Sequence, residues 1–242
     1  MKKPFLLLAS LIIHCFTFGQ IIPISVIQET TNPTGASDFE GQTLETQGIV
    51  TASAQDNDLG AVYIQQQFVD DWAGIKLVGS SQLADLERGQ FVTIEGVVEE
   101  NLGETQISVT SLEVLFDASI QTTFVDPALF ANYSLEAEKY EGMLVSFNQI
   151  PELVLVTDSN PDNPNNFGEW SVGFDANPNN SCRVLTGRQT SDLTSSLWVS
   201  YINDSTWVDN SGTLQVEAII INEESQFLQI SGIISYSFSN FK

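Results

Sequence analysis

The chain has 242 residues, with 31 acidic side chains against eight basic ones, a formal charge of −23 and a single histidine. A surface that acidic repels nucleic-acid phosphates over a Debye length and attracts divalent cations. The abundance of Val, Ile, Thr, Phe and Ser, with few Ala, Lys and Arg, is a β-sheet composition.

Lys2 and Lys3 precede an apolar run from Phe5 to Phe18, with small residues at Thr17 and Gly19. This predicts a secretory signal peptide over residues 1–19, cleaved before Gln20, too short and wrongly flanked for a membrane span. His14 stands where a lipoprotein signal needs a small residue ahead of Cys15, which argues against lipid anchoring. Without that peptide the chain has no histidine, one cysteine (Cys182) and six basic residues against 31 acidic ones, a net charge of −25. Histidine-based nucleophilic or general-base catalysis is then excluded, as is an intrachain disulfide. About 220 residues suffice for one large or two small domains, and no second hydrophobic run of membrane length follows.

In chain order, Ile21–Asp38 reads as an irregular lead-in. Strands are expected over Leu44–Ala54, with Leu44, Thr46, Gly48 and Val50 on one face, then Ala61–Gln67 and Gly74–Val78. Ser81–Glu87 reads as a helical turn stopped by Gly89. A long hairpin spans Gln90–Leu115. Val92, Ile94 and Val98 share one side of its first strand, and Asn101, Leu102 and Gly103 turn the chain. Its second strand is apolar at Ile107 and Val109 and then at Leu112 and Val114, a one-residue slip that marks a β-bulge. Five strands with a small helix between the third and fourth are the order of the oligonucleotide/oligosaccharide-binding barrel, the OB-fold.

Phe116–Lys139 has weaker strand character, with short helices expected from Asp126 to Tyr133 and from Ser134 to Glu138. From Glu141 onward strands are expected over Glu152–Thr157, Gly168–Phe174, Arg183–Leu185, Leu197–Ile202, Thr213–Asn222 and Phe227–Tyr236. Gly232 occupies the mid-strand place that Gly96 holds in the first half. The expected fold is therefore all-β: two OB-fold-like five-stranded barrels in tandem, with a short helix in the first and a partly helical connector. The domains are 1–19 (signal peptide), 20–116 (first barrel), 117–139 (connector) and 140–242 (second barrel).

The segments Phe39–Thr51 (FEGQTLETQGIVT), Val62–Gln65 (VYIQ) and Arg88–Gly96 (RGQFVTIEG) resemble the N-terminal OB-fold region of secreted bacterial nucleases. Leu135–Val145, Phe167–Glu169, Ile202–Asp204 and Gly232–Phe238 are similar to the stretch that joins that region to the nuclease domain. The resemblance spans most of the chain after Gln20 through short, glycine-led motifs. It implies a non-catalytic region, with a metal-dependent endonuclease/exonuclease/phosphatase domain downstream of it.

Asp158, Asn160 and Asp162 stand at alternate positions, and Glu169 follows at the twelfth place, the oxygen-rich spacing of a calcium loop. Asn163 replaces the usual glycine at the sixth place, Pro161 and Pro164 interrupt the loop, and no helices flank it. Two readings stay open: a solvated Asn/Asp/Pro turn, or a calcium site on Asp158, Asn160, Asp162 and Glu169. Asp56, Asn57 and Asp58, and Asp70 with Asp71, read as turns. Trp72 and Trp207 lie in polar loops and are stacking candidates for sugars or bases, whereas Trp170 and Trp198 read as core. Cys182, with no histidine partner, reads as a buried strand cysteine. Lys76, Arg88, Lys139, Arg183 and Arg188 are too scattered to form a basic patch. The expected function is a secreted, non-catalytic binding or accessory module for an extracellular polymer, a polysaccharide suiting the charge better than nucleic acid. The alternative is the substrate-handling part of an extracellular nuclease. Expected partners are that polymer or a downstream catalytic domain, with weak nucleic-acid binding by this chain.

Overall fold

The structure, a computed structural model, describes residues 20–55, 58–165, 169–185, 190–191, 198–199, 201–202, 219–223 and 225–242. The expected signal peptide, Asp56, Asn57 and Trp207 lie outside the described residues, as do the segments 166–168, 186–189 and 203–218. No helix among the described residues is long and apolar enough to cross a membrane.

The first half is a closed five-stranded barrel. Its strands are β1 (Thr43–Ala52), β2 (Val62–Gln65), β3 (Gly74–Val78), β4 (Gln90–Asn101) and β5 (Glu104–Asp117), in ring order β1-β2-β3-β5-β4. All neighbours run antiparallel except β3 and β5, which pair in parallel, and a 3₁₀ turn at Ser81–Asp85 joins β3 to β4. This is the OB-fold topology expected from the strand order. Strand alternation sends Val50, Val62, Ile64, Ile75, Leu77, Val92, Ile94, Val98, Ile107 and Val109 into one core.

The slip in β5 is a bulge. Glu95 pairs with Ser111 and Gly96 with Val109, leaving Thr110 as the extra residue. At Gly96 a side chain would collide with the Ser108 carbonyl and Ile107, so glycine lets β4 and β5 close up at the bend. Leu102 and Gly103, both at positive φ, make the two-residue hairpin turn.

The lead-in is not wholly irregular. Ile24–Gln28 forms a short helix, α1, whose Ile24 and Ile27 are fully buried in the barrel core. Each contributes roughly 1.5–3 kcal/mol of burial, and that tertiary gain forms a helix too short for local propensity to stabilise.

The connector carries a 3₁₀ turn at Pro127–Phe130, capped by Asp126 accepting from Ala128 N, and α2 (Leu135–Glu138), capped by Ser134 accepting from Ala137 N. It also contributes β6 (Thr123–Phe124), which pairs in parallel with β7 (Leu144–Phe147). On its other edge β7 pairs with Ile230–Ile233. A second sheet places β9 (Glu169–Gly173) between β10 (Cys182–Leu185) and β8 (Val154–Asp158), and Gln226–Phe227 edges β8. These elements share a second core that includes Phe130, Met143, Phe147, Val156, Trp170, Cys182 and Phe241. Of the strands expected over Leu197–Ile202 and Thr213–Asn222, residues 197, 200 and 213–218 lie outside the described residues, while Trp198–Val199 pairs with Thr190–Ser191 and Tyr201–Ile202 pairs in parallel with Ile219–Ile220 in separate two-stranded sheets. The chain is all-β with an OB barrel. Gly232 has open space around it, so it does not repeat the role of Gly96.

Candidate functional site

OB barrels present the outer face of strands 2 and 3, with the loops flanking it, to oligonucleotides and oligosaccharides. Here that face is covered. With Val62 and Ile64 turned inward, Tyr63 and Gln65 point outward from β2, yet both are buried. Gln65 Oε1 accepts from Leu144 N at 2.8 Å, and Glu141 Oε1 accepts from Thr105 N at 2.9 Å on β5. Ala73, beside β3, belongs to the second core.

A polar network lies under this cover. Tyr63 donates its hydroxyl proton to Glu104 Oε1 at 2.8 Å, and Lys76 binds Glu104 Oε2 while lying 5.7 Å above the Tyr63 ring. Burial, then the charge of Glu104, push the Tyr63 phenol far up, so it stays protonated.

The open surface is displaced to one side of this face. A cleft of about 620 Å³ lies between the loop joining β2 to β3 and the connector. Gln65, Val69 and Asp70 line it from the barrel, Gln121, Thr122, Thr123 and Phe124 from the connector, and Tyr140 from the turn after α2. Phe124 is 66% exposed. Gln121 ties the walls together: its carbonyl accepts from Gln65 Nε2 at 3.4 Å and its Oε1 from Phe68 N at 3.2 Å. Burial, then the charge of Asp71, raise the Tyr140 phenol, which remains a neutral hydrogen-bonding group. Phe68 and Trp72 in the same loop both have positive φ, an outlier conformation for bulky side chains. Phe68 is 83% exposed. The lining thus offers amides, hydroxyls, one carboxylate and two aromatic rings, and no cationic side chain.

The sequence-predicted residues fall elsewhere. Trp72 is half-buried in the same loop without lining the cleft, and its backbone N–H donates to Lys139 O. Asp162 and Glu169 do converge, but on a protein cation. Arg183 Nη1 lies 3.0 Å from both Asp162 oxygens and 2.8 Å from Glu169 Oε2, and Lys242 holds Glu169 Oε1. The Arg183 guanidinium keeps its charge more firmly than usual: burial opposes it, but Glu169 and Asp162 outweigh burial. Asp158 Oδ1 accepts from Asn160 N at 2.9 Å, an Asx turn, and Asn160 Oδ1 is buried without a partner. Among the described residues no group of three His, Cys, Asp or Glu side chains is arranged to hold a metal. Trp170 is core, packed 5.6 Å from Phe227. Cys182 is buried, and burial pushes its thiol up and away from reactivity.

Asp58 is an anchor rather than a plain turn residue. Arg88 grips both of its oxygens, and Ser53 and Leu59 donate to it as well. Burial alone would raise its carboxyl, but Arg88 outweighs burial and holds it below the usual range. With Lys139 bound to Glu136, every described Lys and Arg is in an ion pair.

The aromatic members of the cleft, Phe124 and Tyr140, were not legible in the sequence. Their only signal was a Thr-Thr-Phe stretch inside the connector and a tyrosine at the start of the expected second barrel.

No family model matches the chain, and no curated protein matches it. Solved structures with similarity to part of the chain include the OBody AM1L10 bound to hen egg-white lysozyme, with 19% identity over 34% of this chain and 85% of that one and a TM-score of 0.27. The second OB-fold domain of replication protein A from Methanococcus maripaludis has 15% identity over 33% of this chain and 90% of its own, with a TM-score of 0.26. Asparaginyl-tRNA synthetase from Pyrococcus horikoshii has 20% identity over 34% of this chain and 21% of its own length, with a TM-score of 0.26.

Proposed function

We propose that the chain is a secreted, non-catalytic binding or accessory module for an extracellular polymer, with polysaccharide as the ligand class. The observation that carries this reading is the pairing of charge: all described cations are engaged by carboxylates, while the open cleft carries none. Phosphate recognition draws its affinity from free Lys and Arg. Sugar hydroxyls instead pair with amides, hydroxyls and carboxylates, and sugar rings pack on aromatic faces. Gln121, Thr122, Asp70, Phe124 and Tyr140 supply those groups.

A second reading, the substrate-handling part of an extracellular nuclease, draws on the resemblance of its motifs to that family. It is favoured by the exposed end of β5, where Val114, Leu115 and Phe116 form an apolar strip and Phe116 stacks on Phe91 at 4.8 Å. Such a strip suits packing against a neighbouring domain.

Affinity electrophoresis in gels containing soluble neutral polysaccharides tests the first reading, with single-stranded DNA as the competing probe. Retardation by a neutral polysaccharide that is lost in Phe124→Ala and Tyr140→Ala supports it. DNA binding at about 0.15 M salt without polysaccharide binding overturns it in favour of the second.

A further inference from the structure

The turn from Glu138 to Leu144 closes the outer face of β2 and β3. Besides the Leu144–Gln65 bond, Trp72 N donates to Lys139 O, and the Gly74 and Gly142 backbones lie in direct contact. The turn carries two carboxyls into this join. Glu141 is 2% exposed, and while its Oε1 accepts from Thr105 N, its Oε2 is buried without a partner. Glu138 is 3% exposed, its carboxyl lies over Gly35, and its Oε2 is likewise buried, with only the Tyr133 hydroxyl beside the carboxyl.

The surrounding groups do not neutralise this pair. Glu100 from β4 faces both carboxyls and is held by Ser37 N and Thr105 Oγ1. Glu104 from β5 faces Glu141 and is held by Tyr63 and Lys76. Tyr133 from the connector borders Glu138, with Tyr236 from the C-terminal hairpin beside Tyr133. Lys76 on β3 is bonded to Glu104, and Lys139 on the turn points outward to Glu136. Two buried carboxylates beside two more acids cannot both remain charged without a large desolvation and repulsion cost. Protons on them remove that cost.

We propose that the turn from Glu138 to Leu144 is a proton-dependent latch, closed over the β2–β3 face while Glu138 and Glu141 carry protons and released when they ionise into solvent. Release uncovers Tyr63, Gln65 and Lys76, the outward side chains of the face that OB barrels use for ligands. Burial, and then the charge of Glu100, push the Glu138 carboxyl up to about 7, with the Tyr133 hydroxyl pulling weakly the other way. Burial, and then Glu138, raise Glu141 well above its usual range. When the turn opens, both groups hydrate and ionise in the ordinary glutamate range. Opening therefore gains about tenfold per pH unit for each carboxyl, from about pH 4.3 up to its closed-state value.

Hydrogen exchange of the purified chain, corrected for the intrinsic pH dependence of exchange, reads the latch without any ligand. Its outcome is therefore separate from that of the polysaccharide test. The protection of the Leu144 amide should fall by a hundredfold or more from about pH 5 to about pH 8, with segment 62–66 following it. In the double variant Glu138→Gln, Glu141→Gln, whose amides mimic the protonated groups, protection should persist at both pH values. Protection independent of pH in the native chain, or an equal fall in the double variant, overturns the latch. Should the double variant fail to fold, Glu138→Gln alone decides. A fall at least tenfold smaller than native supports the latch, and an unchanged fall overturns it.

Discussion

Gly74 and Gly142 meet backbone to backbone where the barrel joins the second half. A Cβ on Gly142 would stand 2.8 Å from the Gly74 carbonyl carbon and from Ile75 N, and a Cβ on Gly74 would overlap the Gly142 carbonyl. Gly142 also has φ +71°, a conformation L side chains rarely adopt. The two halves approach this closely because neither has a side chain at the contact.

Alanine at either position should therefore destabilise the chain by roughly 2–4 kcal/mol, the sum of overpacking and, at Gly142, left-handed strain. Gly41, at φ +78° with nothing within 4 Å, is the control. Gly41→Ala should cost only about 1 kcal/mol. Urea unfolding midpoints check the difference, and equal losses at Gly41 and Gly74 would remove the close-approach account.

Global stability should fall as pH rises from about 4.3 to above 7. The sign follows from Glu138, raised to about 7 in the folded chain. In that window the folded state holds a proton that the unfolded state has released, so stability is full at the acid end and lost toward the folded value. The slope is about 1.4 kcal/mol per pH unit for each such carboxyl. Asp58 acts oppositely: its lowered carboxyl contributes stability above its unfolded value and loses it as pH falls. Denaturant unfolding of native chain and Glu138→Gln across pH checks this, the variant losing part of the decline. A native profile that is flat from pH 5 to pH 8 would contradict the burial of two protonated acids.

Arg183 occupies the point where Asp162 and Glu169 converge. Removing it in Arg183→Gln leaves Asp162 without its cation, although Lys242 still holds Glu169. The expected loss is about 2–3 kcal/mol, below that for a fully buried pair because Arg183 and Asp162 are about a fifth to a quarter exposed. Calcium and magnesium at equal concentration should shift native melting equally, by charge screening alone. A calcium-specific rise in melting temperature that disappears in Asp162→Ala would show that the ion displaces Arg183.

Single-stranded DNA should bind no more tightly than about 10⁻⁴ M at physiological salt, with a salt slope near zero. Fluorescence anisotropy against salt concentration measures both. A slope of several units would reveal free cations that the ion pairs of Lys76, Arg88, Lys139, Arg183 and Lys242 do not leave.

What the sequence determined by itself is local and periodic. The strands of the barrel, the hairpin turn at Leu102 and Gly103, the bulge at Thr110 and the mid-strand Gly96 all follow from a two-residue alternation and its single slip, because side-chain direction in a strand is set by neighbours one and two places away. The capped turns at Asp126 and Ser134 are legible for the same reason. Tertiary structure decided everything that depends on partners distant along the chain. Ile24 and Ile27 become a helix only because a barrel waits to be plugged. Asp162 and Glu169 follow a calcium spacing, yet Arg183 and Lys242 reach them first. Tyr63 and Gln65 sit outward on the strand that OB barrels in general use for ligands, yet Glu141 and Leu144 cover them from more than 70 residues away. A carboxylate pattern or an outward side chain names a capacity, and which group meets it is settled by packing between segments that no local period relates.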